Sequence, residues 1–251
     1  MSEIKVKDLT HTFGEGTIEA LTVLEDINLN IPSGSFTSIV GTSGCGKSTL
    51  LKMMAGLFDP SDGEMTLDGN LIKGTDRKRG MVFQQDAVFP WMTVAKNISY
   101  GPRIHGASKA EQAAAEEKWV EAVGLKGFEH RWPRELSGGM RKRVDIGRVY
   151  ANDPDVLLMD EPFGALDAQT KERLQTDLLD TWRETQKTVV FVTHDLEEAI
   201  FLSDQIVVMS ARPGRIRHIE DVSLPRPRTN EMRLTSEFLD IKRKLWNMLD
   251  H

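Results

Sequence analysis

The sequence predicts an α/β protein: a phosphate-loop core with a mostly parallel sheet, an N-terminal antiparallel β layer and an inserted helical subdomain. Three observations predict it. Residues 36–40 form a strand-like run that delivers the chain into a glycine-rich turn, and helix formers follow over 47–57. Short apolar runs at 156–159, 188–192 and 206–209 are separated by helical segments, the pattern of parallel strands joined by crossovers. Between about residue 86 and residue 150 the periodicity is helical.

Taken in order, Ile4, Val6 and Leu9 lie near period two, and Ile27, Leu29 and Ile31 alternate cleanly before the turn at Pro32, Ser33 and Gly34. These residues predict the β layer. In the helical stretch, Ser108 and Glu111 have capping-box spacing, Ala113, Val120 and Val123 recur on one helical face, and Gly124 stops the segment. The expected division is an α/β core over about 1–85 and 151–251, with the helical subdomain over about 86–150. A last helical pattern at Ser236–Leu249 is expected to close the chain without an appended regulatory domain.

Composition bounds what such a chain does. With 251 residues, 39% hydrophobic and 28% charged, it can bury one substantial core, and full disorder is excluded. A net charge of −6 argues against a nucleic-acid binder working through a broad basic face. The polar N-terminus has no apolar signal region, and no run approaches the roughly 18 apolar residues of a spanning helix, so any membrane connection is expected through a partner. With Cys45 as the single cysteine, neither an intramolecular disulfide nor a thiolate zinc site can form.

The chemistry is concentrated in a few motifs. Gly41, Thr42, Ser43, Gly44, Cys45, Gly46, Lys47 and Ser48 complete a phosphate loop. Its glycines let backbone N–H groups converge on phosphate oxygens, Lys47 reaches the terminal phosphates, and Ser48 offers a hydroxyl to Mg²⁺. Asp160 emerges at the C-terminal end of an apolar strand, where it is expected to hold Mg²⁺, and Glu161 is placed to accept a proton from an attacking water. Ser137, Gly138 and Gly139 open a helix, which makes a second phosphate-facing N-terminus in one chain. His194 follows a strand and can reach a γ-phosphate there. Arg141, Lys142, Arg143 and Arg148 read as a solvated face with carboxylate partners rather than a nucleic-acid track. Cys45, inside the loop, predicts that alkylation blocks the site and that bound nucleotide protects it.

In this order, the phosphate loop, the Leu136-Ser-Gly-Gly139 element, Asp160-Glu161, Ala165-Leu-Asp167 and His194 resemble the nucleotide-binding subunit of an ATP-binding cassette (ABC) transporter. The resemblance implies a phosphate-loop NTPase that binds ATP and Mg²⁺, with Thr49 completing the loop contacts. It implies a head-to-tail homodimer, or a pair with another ABC subunit, in which two ATP molecules lie between one phosphate loop and the partner's signature serine and glycines. It also makes Gln84 the switch-loop glutamine that senses Mg²⁺ and the membrane subunit, puts Asp167 in a loop at the dimer interface, and has Phe13 stacking on adenine. Met140 stands where glutamine is commoner, Thr42 where proline is common, and Gly147 interrupts the signature helix at a cost of about 1 kcal/mol relative to alanine.

Residues 89–94, Phe-Pro-Trp-Met-Thr-Val, and the sequence following Asp160 are similar to importers of the nitrate, sulfonate and taurine group. That likeness implies integral membrane permease subunits, a periplasmic or extracellular solute-binding protein, no nucleic acid, and a place at the cytoplasmic face of the membrane. The alternative is a soluble ABC ATPase clamp acting on nucleic acid. Such clamps usually carry two cassettes or a long coiled-coil insertion, and this chain shows one cassette. The solute itself is not written in a subunit that never touches it.

Overall fold

The computed structural model describes residues 2–164, 166–210 and 212–249. In chain order the elements are β1 (Ile4–Phe13), β2 (Leu21–Ile31), β3 (Phe36–Gly41), α1 (Lys47–Met54), β4 (Asp62–Leu67), β5 (Asn70–Leu71), β6 (Arg79–Val82), α2 (Val94–Ile98), α3 (Tyr100–Ile104), α4 (Lys109–Ala122), α5 (Gly138–Ala151), β7 (Val156–Asp160), α6 (Ala168–Thr185), β8 (Thr188–Val192), α7 (Leu196–Leu202), β9 (Gln205–Met209), β10 (Ile216–Asp221) and α8 (Ser236–Leu249). They fall into two compact units, one ending at Asp76 and resuming at Gln186, the other Arg77–Thr185.

The first unit holds the antiparallel layer, in the order β2-β1-β4-β5, and a mostly parallel group in the order β10-β9-β3-β8. The alternation read from the sequence becomes cross-strand pairing: Ile4 faces Ile31, Val6 faces Leu29 and Leu9 faces Ile27, all buried. The three-residue step from Val6 to Leu9 breaks strict alternation because a bulge lies there, with Asp8 at φ 50°. Strand β3 pairs in parallel with β8 and β9, and Ile39, Val40, Val190, Val192 and Val207 are fully buried. Every residue of β3 is buried, Thr37 and Ser38 included, as in a strand covered on both faces. The edge strand β10 runs antiparallel to β9. It went unpredicted because its residues are alternately half-exposed and exposed, with few apolar side chains.

In the second unit β6 and β7 pair in parallel, with Gly80 opposite Leu157. Gly80 is required by close packing, since a Cβ there would lie 2.5 Å from Val149 Cγ1 and 2.9 Å from Pro154 Cγ. Helix α4 starts with the predicted capping box, Ser108 Oγ accepting from Glu111 N at 3.3 Å and Glu111 Oε2 from Ser108 N at 2.7 Å. Gly147 on α5 has a packing reason: an added Cβ would come to 3.3 Å from both Ile98 and Val123, so the glycine lets α5 approach α2. The helices α2 to α5 share this unit with β6, β7 and α6. Among the described residues no helix is long and apolar enough to cross a membrane.

Candidate active site

In the first unit, β3 ends at Gly41 and α1 begins at Lys47, so the loop is a strand-to-helix turn as predicted. Its glycines answer to space and conformation. A Cβ on Gly41 would sit 2.7 Å from Cys45 Sγ, and Gly46, at φ 94°, would drive one to 2.6 Å from Leu24 Cδ2. Lys47 is buried, and its Nζ donates to Gly41 O at 2.8 Å and Thr42 O at 3.1 Å. The loop therefore wraps its own cation. Behind it, Gly214 packs so closely that a Cβ would reach 2.0 Å from Cys45 O, and the Arg212 guanidinium covers Gly44. No pattern in the sequence pointed to this backing segment.

Cys45 is a buried member of the loop. Only 1% exposed, its thiol faces the interior, with Sγ 3.8 Å from Lys47 Nζ. A thiolate-seeking reagent meets a shielded group.

His194 sits between β8 and α7. Thr193 fixes the turn by accepting from Asp195 N at 3.0 Å, and Asp195 caps α7 by accepting from Glu197 N at 2.9 Å. His194 lines a cavity of about 630 Å³ together with Gly41, Thr42, Ser43 and, from α8, Lys242 and Trp246. The structure thus brings the loop and the histidine to one space. Phe13, ending β1, is 46% exposed and touches His11 and Phe58.

The second unit carries the remaining residues. Asp160 ends β7 and is buried. The next residue, Glu161, takes φ 41°, a left-handed conformation that costs a non-glycine residue on the order of 1 kcal/mol. Strain of this kind clusters at functional turns. Gln84 Nε2 lies 3.4 Å from Glu161 Oε2, so the amide is oriented with its oxygen left to accept from or coordinate another group. Ser137 caps α5, its Oγ accepting from Met140 N at 3.3 Å. Beside it Gly138 is open: a Cβ would find only Arg141 Nη2, at 3.7 Å. The first-turn N–H groups of α5 have no intrahelical acceptor, which leaves donors for an anion. Asp167 Oδ1 accepts from Thr170 N at 3.0 Å at the start of α6, and that hydrogen bond holds its carboxyl below the usual range. Ala165, part of the same motif, lies outside the described residues.

The basic run after Met140 is not a solvated face. Lys142 and Arg143 are buried, and their cations are held by carbonyls: Lys142 Nζ donates to Phe83 O at 2.8 Å and Gln84 O at 3.2 Å, and Arg143 Nη1 to Val123 O at 3.3 Å. The expected carboxylate partners are present, Asp86 for Arg141 at 2.8 Å and the fully buried Asp145 for Arg148 at 2.6 Å. Sequence reasoning also missed Asn97. Fully buried, it accepts from Phe89 N at 2.7 Å and donates to Phe89 O, Met92 O and Thr93 O, which locks the loop carrying Trp91. Trp91 itself is 66% exposed.

The residues fit the groups they are expected to hold. Ser48 hydroxyl, Asp160 carboxylate and Gln84 amide oxygen are hard oxygen donors of the kind Mg²⁺ selects. The glycine turns and the enclosed Lys47 suit the phosphates of ATP.

The profile of the family described as "ABC transporter" matches residues 24–164. The chain is 42% identical to the aliphatic sulfonates import ATP-binding protein SsuB of Bacillus cereus, over 99% of this chain and 96% of that one. It is also 42% identical to the nitrate import ATP-binding protein NrtD of Synechocystis, over 98% and 94%. Among solved structures, the dimeric structure of MJ0796, a bacterial ABC transporter cassette, superposes with a TM-score of 0.78 at 34% identity, covering 88% of this chain and all of that one.

Proposed function

The chain belongs to the ABC transporter family as an ATP-binding, ATP-hydrolysing import subunit, and we propose that it drives uptake of a small anion of the nitrate, sulfonate or taurine type through a separate permease. In this reading two copies, or this chain and another ABC subunit, pair around two ATP molecules at the cytoplasmic face of the membrane. A periplasmic or extracellular binding protein delivers the solute. The ATPase core spans about 1–85 and 151–251, and the helical subdomain about 86–150.

The observation that carries the reading is the presence of two phosphate-directed elements in one chain: the loop folded around Lys47, and the Ser137-capped start of α5. A partner's nucleotide gives the second element its use. In each composite site the loop N–H groups and Lys47 hold the phosphates, His194 reaches the γ-phosphate and orients the attacking water, and Glu161 takes a proton from that water. Phe13 stacks on adenine, and Asp167 stands in the loop at the partner's interface. Ser48, Asp160 and Gln84 hold Mg²⁺, which supplies charge neutralisation on the phosphates when bound. Ligand charge is otherwise met by the loop N–H groups and α5's first turn.

Phe89 and Trp91 are read as the permease socket. The support is an exposed indole on a loop fixed by a buried asparagine. The test is reconstitution with the permease: Trp91→Ala keeps its melting temperature and ATP binding but loses co-purification and uptake of labelled nitrate, taurine or alkanesulfonate. Full uptake by that variant overturns the socket, and uptake of none of the three anions by wild type overturns the solute class.

A further inference from the structure

Both ring nitrogens of His11 are buried, and neither has a hydrogen-bond partner among the described residues. Leaving a buried polar group unpaired is costly, so the ring's surroundings call for a reason. What it meets is aromatic. Its centroid lies 4.6 Å from that of Phe13 at an interplanar angle of 88°, and 5.3 Å from that of Phe58. Phe58 in turn stands 6.1 Å from Phe13. His11 and Phe13 are two residues apart on β1, which puts them on one side of the strand. Phe13 is the last residue of that strand and nearly half exposed. An end-of-strand ring with an open side has rotamer freedom to lose when a base stacks on it, and fixing it beforehand removes that cost.

We propose that His11 is a positioning residue for the nucleotide: with Phe58 it buttresses Phe13 in the attitude that stacks on adenine. The inference rests on the reading of Phe13 as the adenine platform. Burial lowers the His11 pKa, against the pull of Glu15, which keeps the ring uncharged at neutral pH and compatible with an aromatic neighbour. The ring contacts of His11 are with Phe13 and Phe58, so its effect is expected on the base.

Steady-state hydrolysis by the full chain separates the outcomes. Phe13→Ala and His11→Ala both raise the KM for ATP by about 3- to 10-fold, the worth of one aromatic contact, while kcat stays within about twofold. Inorganic tripolyphosphate, which has no base, inhibits all variants equally. His11→Phe restores the KM, because it returns a ring, whereas His11→Leu, which fills the volume without one, does not; it also serves if the alanine variant fails to fold. A raised KM in Phe13→Ala with a wild-type KM in His11→Ala and His11→Leu overturns the buttress alone. Loss of tripolyphosphate inhibition in step with ATP overturns it as general distortion of the loop. An unchanged KM in Phe13→Ala overturns the platform, and the buttress with it.

Discussion

Gln84 Nε2 reaches Glu161 Oε2 at 3.4 Å, so the candidate switch glutamine already touches the candidate base. The bond is long and weak, whereas the main chain of the same glutamine is pinned by Lys142. A fixed backbone with a lightly held side chain suits a residue that reorients. Gln84→Ala is expected to keep ATP affinity and lower turnover on the order of tenfold through a misplaced carboxylate. Phosphate release and equilibrium nucleotide binding measured together check this, and unchanged turnover speaks against any link between the two side chains.

Lys142 bonds two backbone carbonyls from a buried position. Lys142→Met removes the cation and leaves those carbonyls and Asp145 with poorer compensation. The expected loss is about 2–4 kcal/mol in urea unfolding. A loss near zero would fit the solvated face that the sequence suggested.

That contrast shows what the sequence could and could not display. Ile27, Leu29 and Ile31, the loop from Gly41 to Ser48 and the Ser108–Glu111 box are legible because their partners are local or their spacing is periodic. Lys142, Arg143 and Asn97 are not, because loop carbonyls satisfy them and a polar run looks the same whether it meets water or a buried carbonyl. The orientation of Cys45 escaped for a related reason: motif spacing names the residue but not the side of the loop its thiol takes. The metal and nucleotide roles came from the ordered motif set, with no single spacing sufficient.

Burial of Cys45 makes a kinetic prediction. A thiol reagent should label the native chain slowly, faster as urea opens it, and slower still with Mg-ATP bound. Hydrolysis should fall in step with labelling, and Cys45→Ser should be active and resistant. Rapid stoichiometric labelling of native protein would contradict the buried thiol.

His11 gives stability a pH dependence. Its folded pKa is depressed, so above about 6.5 the ring is neutral in both states and contributes no slope. Below about 6.5 the unfolded chain takes up a proton that the folded chain resists, and stability falls with pH by at most about 1.4 kcal/mol per unit. Because Asp145 and Asp177, both raised by burial, also titrate, the informative quantity is the difference between wild type and His11→Phe. Urea midpoints at pH 7.5 and 5.5 should diverge for the two proteins; parallel shifts would assign the dependence elsewhere.

The central claim, that hydrolysis takes place in a site shared by two cassettes, is tested most directly with Glu161→Gln. Removing the base should lower turnover by roughly 10²- to 10⁴-fold while ATP binding persists. Light scattering of this variant in saturating Mg-ATP should then give twice the mass of one chain, reverting to a single chain when the nucleotide is removed. A single-chain mass in Mg-ATP together with wild-type turnover would contradict the account.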